Sequence, residues 1–251
     1  MSATEALFVT RTMQALEVLA FRPSSAAQLA DALQIHPRTA RRLLARLVEE
    51  GWVSRSDGRR QDYAPTMRLV ALAAQVAERS PLAQAAAPVV AQLFAETGGV
   101  AHLAIPSYTS VLCLVHQGGG PDARPHLREL VPAHATACGK VLLAFRDAWR
   151  ESVLRVPLEQ RTERTIVDPE RIRIEAAEIR ERGYALEHGE YAIDLAGVAA
   201  PVRDASGVVA ASLALTLPAL DVRDPALDQL GARVRDAAGI VADALGRAGH
   251  G

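Results

Sequence analysis

A run of fourteen residues, Pro37 to Glu50, carries arginines down one side and aliphatic residues down the other. Arg38, Arg41, Arg42 and Arg46 recur three and four positions apart, so on a helix they share a face, and Ala40, Leu43, Leu44, Leu47 and Val48 fall opposite. That division constrains everything around it. The aliphatic side must be covered by a core, and the guanidinium groups then point outward to a polyanion. At about 1.5 Å per residue the helix is roughly 20 Å long, which suits an element lying in the major groove of a duplex. An isolated arginine stripe can also be a plain solvated face, so the neighbouring segments decide between the two.

Those segments favour a helix-turn-helix. Ser25 to Leu33 reads as a short helix with Ser25 and Gln28 in the capping-box relation and Leu29 and Leu33 inward. A turn around Gln34 to His36 leads into the arginine helix. Phe8 to Leu19 is a further apolar-periodic segment, with Leu16 and Leu19 as its clearest inward positions. After Gly51, Trp52-Val53-Ser54 and Tyr63-Ala64-Pro65 flank the turn dipeptide Asp57-Gly58, which predicts a hairpin with Arg59 and Arg60 at its tip. Three helices followed by a basic hairpin is the plan of a winged helix-turn-helix. From Arg38 to Arg60, seven arginines stand against Glu49, Glu50 and Asp57, a local excess of four positive charges that the formal net charge of −1 conceals.

Several runs together resemble one family. Gln28-Leu29-Ala30, Thr39, Arg42-Leu43-Leu44 and Leu47 to Val53 are similar to the DNA-binding domain of the IclR (isocitrate lyase regulator) transcription factors. Pro132 to Ala144, with its His134, Ala135 and Gly139-Lys140, is similar to a segment of the family's second domain. Thr165-Ile166, Ile179 to Ala185, and Val198 to Val202 through Gly207-Val208-Val209 follow in the family's order. The expected fold class is α+β: an N-terminal winged helix-turn-helix domain over residues 1–66, a helical linker over 67–80, and an effector-binding and oligomerisation domain over 81–251. The resemblance implies that this last domain is GAF-like with an antiparallel sheet.

The remaining segments fit that plan. Met67 to Glu78 is rich in alanine and leucine without glycine or proline, and reads as a connecting helix; Pro81 to Thr97 restarts a second one that stops at Gly98-Gly99. Val100 to Pro106 and Ser110 to His116 read as a β-hairpin. Lys140 to Phe145 begins a helix. Asp168 caps another whose inner stripe is Ile172, Ala176 and Ile179, with Arg171/Glu175 and Glu178/Arg182 as surface pairs, and Gly183 ends it. Tyr184 to Glu187, Gly197 to Arg203 and Val208 to Leu217 read as strands, and Asp224 to Leu245 as a closing helix. An antiparallel sheet with helices follows.

Functional expectations come from both sources. Arg38, Thr39, Arg41 and Arg42 are expected at base edges or phosphates of a double-stranded DNA operator, Arg46 near the backbone, and Arg59 and Arg60 at phosphate or the minor groove. By resemblance, the second domain binds a small organic-acid effector lined by Ala137, Cys138, Glu187, Gly197, Ala214 and Thr216, and the chain assembles as a homodimer or a tetramer built as a dimer of dimers. Ala214 and Thr216 lie two apart and so share a sheet face; a helix start near Cys138 and Gly139 offers amide donors to a carboxylate. His134 could hold a carboxylate or simply cap the helix. Gly197 stands where relatives frequently carry cysteine, Ala214 where a hydroxyl is common, and Gly189 replaces one of an acidic pair, leaving fewer polar handles. For Glu187 and Glu190 a solvated strand end competes with a binding role, and the plain reading of Cys138 is a small buried side chain.

Other classes lack support in the sequence. There is no G-x-S-x-G elbow, no P-loop spacing around Gly139-Lys140, no H-E-x-x-H and no Cys-x-x-Cys, so no enzyme, cofactor or metal is expected. Two alternatives to the regulator stay open, a small-ligand-binding enzyme with an accessory helix-turn-helix and a nucleic-acid-independent interaction module. No membrane span or secretory signal is read, which gives a cytoplasmic expectation in which Cys113 and Cys138, the two cysteines, stay reduced.

Overall fold

Helix α1 (Ala3–Phe21) is followed by α2 (Ala26–Ala32) and α3 (Pro37–Glu49), and both α2 and α3 are begun by a side chain that accepts from a free helix amide. Ser25 Oγ accepts from Gln28 N at 3.3 Å while Gln28 Oε1 accepts from Ser25 N at 2.9 Å, a complete capping box. At α3 the cap is His36, whose Nδ1 accepts from Arg38 N at 3.2 Å, with Pro37 preset in the first helical position. Ala15, Leu19, Leu29, Leu33, Leu43, Leu44, Leu47 and Val53 form the core between the helices, and Leu16 packs half-buried against it. Val48 departs from the expected inward face and is 39% exposed. At about 100° per residue it lies only about 20° from Arg41 around the helix, on the edge of the stripe.

Strands β1 (Val53–Arg55) and β2 (Tyr63–Pro65) pair antiparallel, as the hairpin reading required. Tyr63 also exchanges backbone hydrogen bonds with Ser24, at 3.1 and 2.9 Å, which ties the hairpin to the α1–α2 link. The turn dipeptide Asp57-Gly58, Arg59 and Arg60 lie outside the described residues, which are 3–56, 62–118, 130–219 and 224–248 of this computed structural model. Helix α4 (Met67–Glu78) completes the first of two units, residues 1–79. Its start is fixed to the end of α3: Thr66 Oγ1 donates to Gly51 O at 2.8 Å, Arg68 Nη1 to Glu50 O at 2.7 Å, and the Arg68 guanidinium lies 3.9 Å from the Trp52 ring centre.

The second unit, residues 80–251, is built on six antiparallel strands. Helix α5 (Pro81–Thr97) leads into β3 (Val100–Ser107), β4 (Ser110–Gln117) and the short β5 (Val131–Pro132). Then come α6 (Ala137–Phe145), α7 (Asp147–Val153), α8 (Pro169–Arg182), β6 (Ala185–His188), β7 (Leu195–Arg203), β8 (Val209–Pro218) and α9 (Asp224–Ala248). The strand order is β5-β4-β3-β8-β7-β6. Strand alternation sorts the side chains into two cores. Leu103, Val198, Ala200, Leu213 and Leu215 pack with Val90 and Leu93 of α5 and Val234 and Val241 of α9. Ala104, Ala199 and Ala214 face the other way, toward Val141 and Leu142 of α6 and Ile172 and Ile179 of α8.

Two expectations need correcting. Helix α6 begins at Ala137, three residues before Lys140, because Thr136 caps it by accepting from Gly139 N at 3.3 Å. The Arg171/Glu175 and Glu178/Arg182 surface pairs give way to others: Glu175 turns inward to Lys140 at 2.7 Å, and the Arg182 guanidinium lies 4.9 Å from the Tyr184 ring centre. Gly183, with φ 84°, ends α8 in the left-handed region as expected. No helix among the described residues is long and apolar enough to cross a membrane.

Candidate functional site

The leucine backing of α3 leaves Arg38, Arg41, Arg42 and Arg46 exposed and Thr39 half-buried. Arg46 is not a free cation. Its Nη1 meets Glu49 at 2.9 Å and its Nη2 meets Glu50 at 2.8 Å, exposed pairs worth up to about 1 kcal/mol each. Arg41 instead lines a groove of about 1000 Å³ with Arg22, Arg55, Asp62 and Tyr63, next to the first turn of α2. Three guanidinium groups thus surround one concave surface beside the arginine helix. Arg22 and Arg55 were not singled out from the sequence. Arg22 carries no local signal, since it reaches the groove only because Ser24 pairs with Tyr63.

In the second unit, the small side chains of the sheet leave a cavity of about 30 Å³ against the start of α6. Ala137, Cys138, Glu187, Gly197, Ala214 and Thr216 line it together. His134 does not line it. Its ring is 4% exposed and its Nε2 lies 2.9 Å from the Glu159 carbonyl, so the ring nitrogen donates there. Burial lowers its pKa, with that carbonyl opposing, so the neutral imidazole is favoured. His102, Cys113, Thr136 and Tyr191 are lining residues that sequence reasoning missed. Alternation along β3 puts His102 and Ala104 on one face, yet only the pairing of His102 with Ala214 shows which face that is.

Glu187 is the acid of this wall. It is 4% exposed, and its Oε1 accepts from Glu190 N at 2.5 Å and Tyr191 N at 3.2 Å. Burial raises its pKa to about 7, against the lowering effect of those two amides. A Cβ at Gly197 would stand 3.6 Å from Glu187 Oε2 and 3.4 Å from the Ala137 methyl, so glycine keeps this part of the cavity open. Burial pushes the Cys113 thiol up to about 12 and raises that of Cys138, which donates to Thr136 Oγ1 at 3.5 Å; both are neutral thiols, not activated nucleophiles.

Behind the cavity, Lys140 is 3% exposed and pairs with both Glu175 and Glu190. Glu190 is itself 8% exposed, so neither it nor Glu187 is a solvated strand end. No local pattern marks this cluster, because its members lie on α6, α8 and the β6–β7 link. Among the described residues no group of three or more histidine, cysteine, aspartate or glutamate side chains could hold a metal ion.

Comparison with known proteins gives this geometry a context. Residues 9–57 match the model of the IclR helix-turn-helix domain, and residues 74–242 match that of the bacterial transcriptional regulator IclR C-terminal domain. The HTH-type transcriptional regulator BhcR of Paracoccus denitrificans is 30% identical over 213 residues, covering 82% of this chain and 75% of that one. A crystal structure of an IclR transcriptional regulator from Alicyclobacillus acidocaldarius superposes with a TM-score of 0.80 at 25% identity, over 95% of this chain and 98% of that one. An IclR homologue from Microbacterium hydrocarbonoxydans, complexed with 4-hydroxybenzoate, gives 0.75 at 27% identity, over 96% and 99%. The chain belongs to the IclR family of DNA-binding transcriptional regulators.

Proposed function

We propose that this regulator reads a double-stranded DNA operator through Arg38, Thr39, Arg41 and Arg42, and that a small carboxylated metabolite in the cavity of the second unit modulates that binding. The observation that carries the first half is the exposed arginine face of α3 over its buried leucines. A bidentate arginine on guanine contributes about 1–3 kcal/mol of discrimination. The groove with Arg22, Arg41 and Arg55 supports phosphate contacts on the flank, which set affinity and salt dependence. Arg46 stays near the backbone, and Arg59 and Arg60, outside the described residues, contact phosphate or the minor groove.

The cavity supports the second half. Ala137 and Cys138 of the first turn of α6, a turn with free amides, line the same space as Glu187, and a related protein is complexed with an aromatic acid. At about 30 Å³ the cavity is far smaller than the ~150 Å³ that holds benzene, which favours a compact acid over a ring. Assembly as a homodimer or dimer of dimers fits the exposed Val9 and Met13 of α1 and Met67, Val70 and Val76 of α4. Two readers on one duplex call for half-sites roughly 34 Å apart or a multiple of that. A gel shift on the chain's own upstream DNA, with and without short organic acids, tests the reading. A salt-sensitive shift that an acid alters supports it, and no shift at low salt refutes it.

A further inference from the structure

Glu187 has one carboxyl oxygen engaged and one facing the cavity. The two backbone amides on Oε1 fix the carboxyl plane, while Oε2 points into the space that Gly197 leaves and makes no hydrogen bond among the described residues. A polar atom in so buried a side chain calls for a partner. On the same cavity lie Ala137 and Cys138 at the start of α6, whose backbone amides have no intrahelical acceptor, since Thr136 takes the N–H groups of Gly139 and Lys140 instead. Among the described residues no lysine or arginine lines the cavity. An anion-attracting helix end and an acid therefore share a space that no described lysine or arginine lines.

A ligand carboxylate seated on those amides meets Glu187 Oε2. Two ionised carboxylates repel there, but a single proton between them makes a strong charge-assisted hydrogen bond. We propose that the cavity takes up its carboxylate effector together with one proton from solvent, Glu187 Oε2–H donating to one ligand oxygen while the α6 amides donate to the other. This rests on the cavity being the effector site and adds that the regulator's ligand affinity depends on pH. With a pKa of about 7, unliganded Glu187 is close to half-protonated at neutral pH. The other groups around it are Thr136 and Cys138 of α6, Cys113 of β4, His102 of β3, Tyr191, and the charges of Glu190 and Lys140 behind it. Both thiols stay neutral in this range because burial raises them. His102 is the other lining group whose ordinary pKa lies near neutrality.

Calorimetric titration of the full chain with acetate, propionate and pyruvate, at about pH 6 and about pH 8.5 and in two buffers of different ionisation enthalpy, tests this. Acids that bind at the lower pH are expected to bind on the order of thirtyfold more weakly at the higher one. About one proton should be taken up per ligand there, and acetamide should bind without proton uptake. The Glu187→Gln variant, whose amide can donate in place of the acid, should bind the same acids with a flat pH profile. Acid binding without proton uptake, or a pH profile that survives in Glu187→Gln and so points to His102, overturns the proposal while leaving the effector site standing. Acids that bind at neither pH overturn the effector site as well. The proton count on the unmodified protein stands whether or not the variant folds.

Discussion

Lys140 on α6 donates to Glu175 on α8 at 2.7 Å from a side chain that is 3% exposed, and the same ammonium holds Glu190 beyond the end of β6. Three elements behind the cavity of the second unit are joined at one buried cation. Lys140→Met would leave two carboxyl groups facing each other without it. Burial already raises the pKa of Glu190, with Lys140 as the main opposing influence, so Glu190 would take up a proton in the variant. Breaking a buried pair from one side costs about 3–5 kcal/mol, and urea unfolding should show a loss of that order. Converting Glu175 and Glu190 to glutamine in the same background should recover much of it. An unchanged unfolding midpoint in Lys140→Met would show that the cluster contributes nothing.

The arginines of α3 are not equivalent. Arg42 is exposed, whereas Arg46 is engaged by Glu49 and Glu50. Arg42→Ala is expected to weaken operator binding by about 1–3 kcal/mol if it reads a base, and Arg46→Ala by less. Anisotropy titrations at one fixed salt concentration rank the two, and equal losses would show that the ion pairs of Arg46 open freely on DNA.

Gly139 tests the seating of α6. A Cβ there would lie 2.1 Å from the Ala133 carbonyl oxygen, a backbone atom that cannot yield without moving the turn before the helix. Gly139→Ala should cost about 3 kcal/mol or more through overpacking, read as a fall in melting temperature. A variant as stable as the parent would mean that the helix start has room to shift.

Stability should depend on pH through Glu187. Its folded pKa of about 7 lies above the ordinary value of 4.5, so between these values the folded chain binds more protons than the unfolded one. Stability contributed by this group is therefore full below about pH 4.5 and falls as pH rises toward 7, by on the order of 3 kcal/mol. Glu187→Gln should flatten that part of the profile, measured by urea unfolding across the range. A slope that persists in the variant would assign it to another group such as Glu190, whose pKa burial also raises.

What the sequence made legible follows the reach of each rule. Ser25 with Gln28, and Asp168 with Gly183, sit within one element and mark its ends through local hydrogen bonds and backbone angles, so those helices were readable. The alternation of Ala214 and Thr216 likewise placed both on one sheet face, and the cavity takes both. The i, i+4 rule paired Glu175 with Arg171 because it considers only one helix, while the side chain found Lys140 across thirty-five positions. His134 failed in the same way, since its partner is the Glu159 carbonyl twenty-five residues on. Helix α7 has no long apolar stripe to announce it, and Arg22 joins the basic groove only through a bridge between Ser24 and Tyr63.

Docking of the α3 arginine face on duplex DNA, modulated by a ligand in the cavity, is the proposal on which the rest depends. The most direct measurement is the affinity of the full chain for its own upstream duplex across a salt series, for the parent and Arg42→Ala, with and without a short acid that binds. Log affinity should fall linearly with log salt, with a slope smaller by about one in Arg42→Ala if Arg42 holds a phosphate, and the whole line should shift when the acid is present. Binding that ignores salt, the arginine and the acid alike would contradict it.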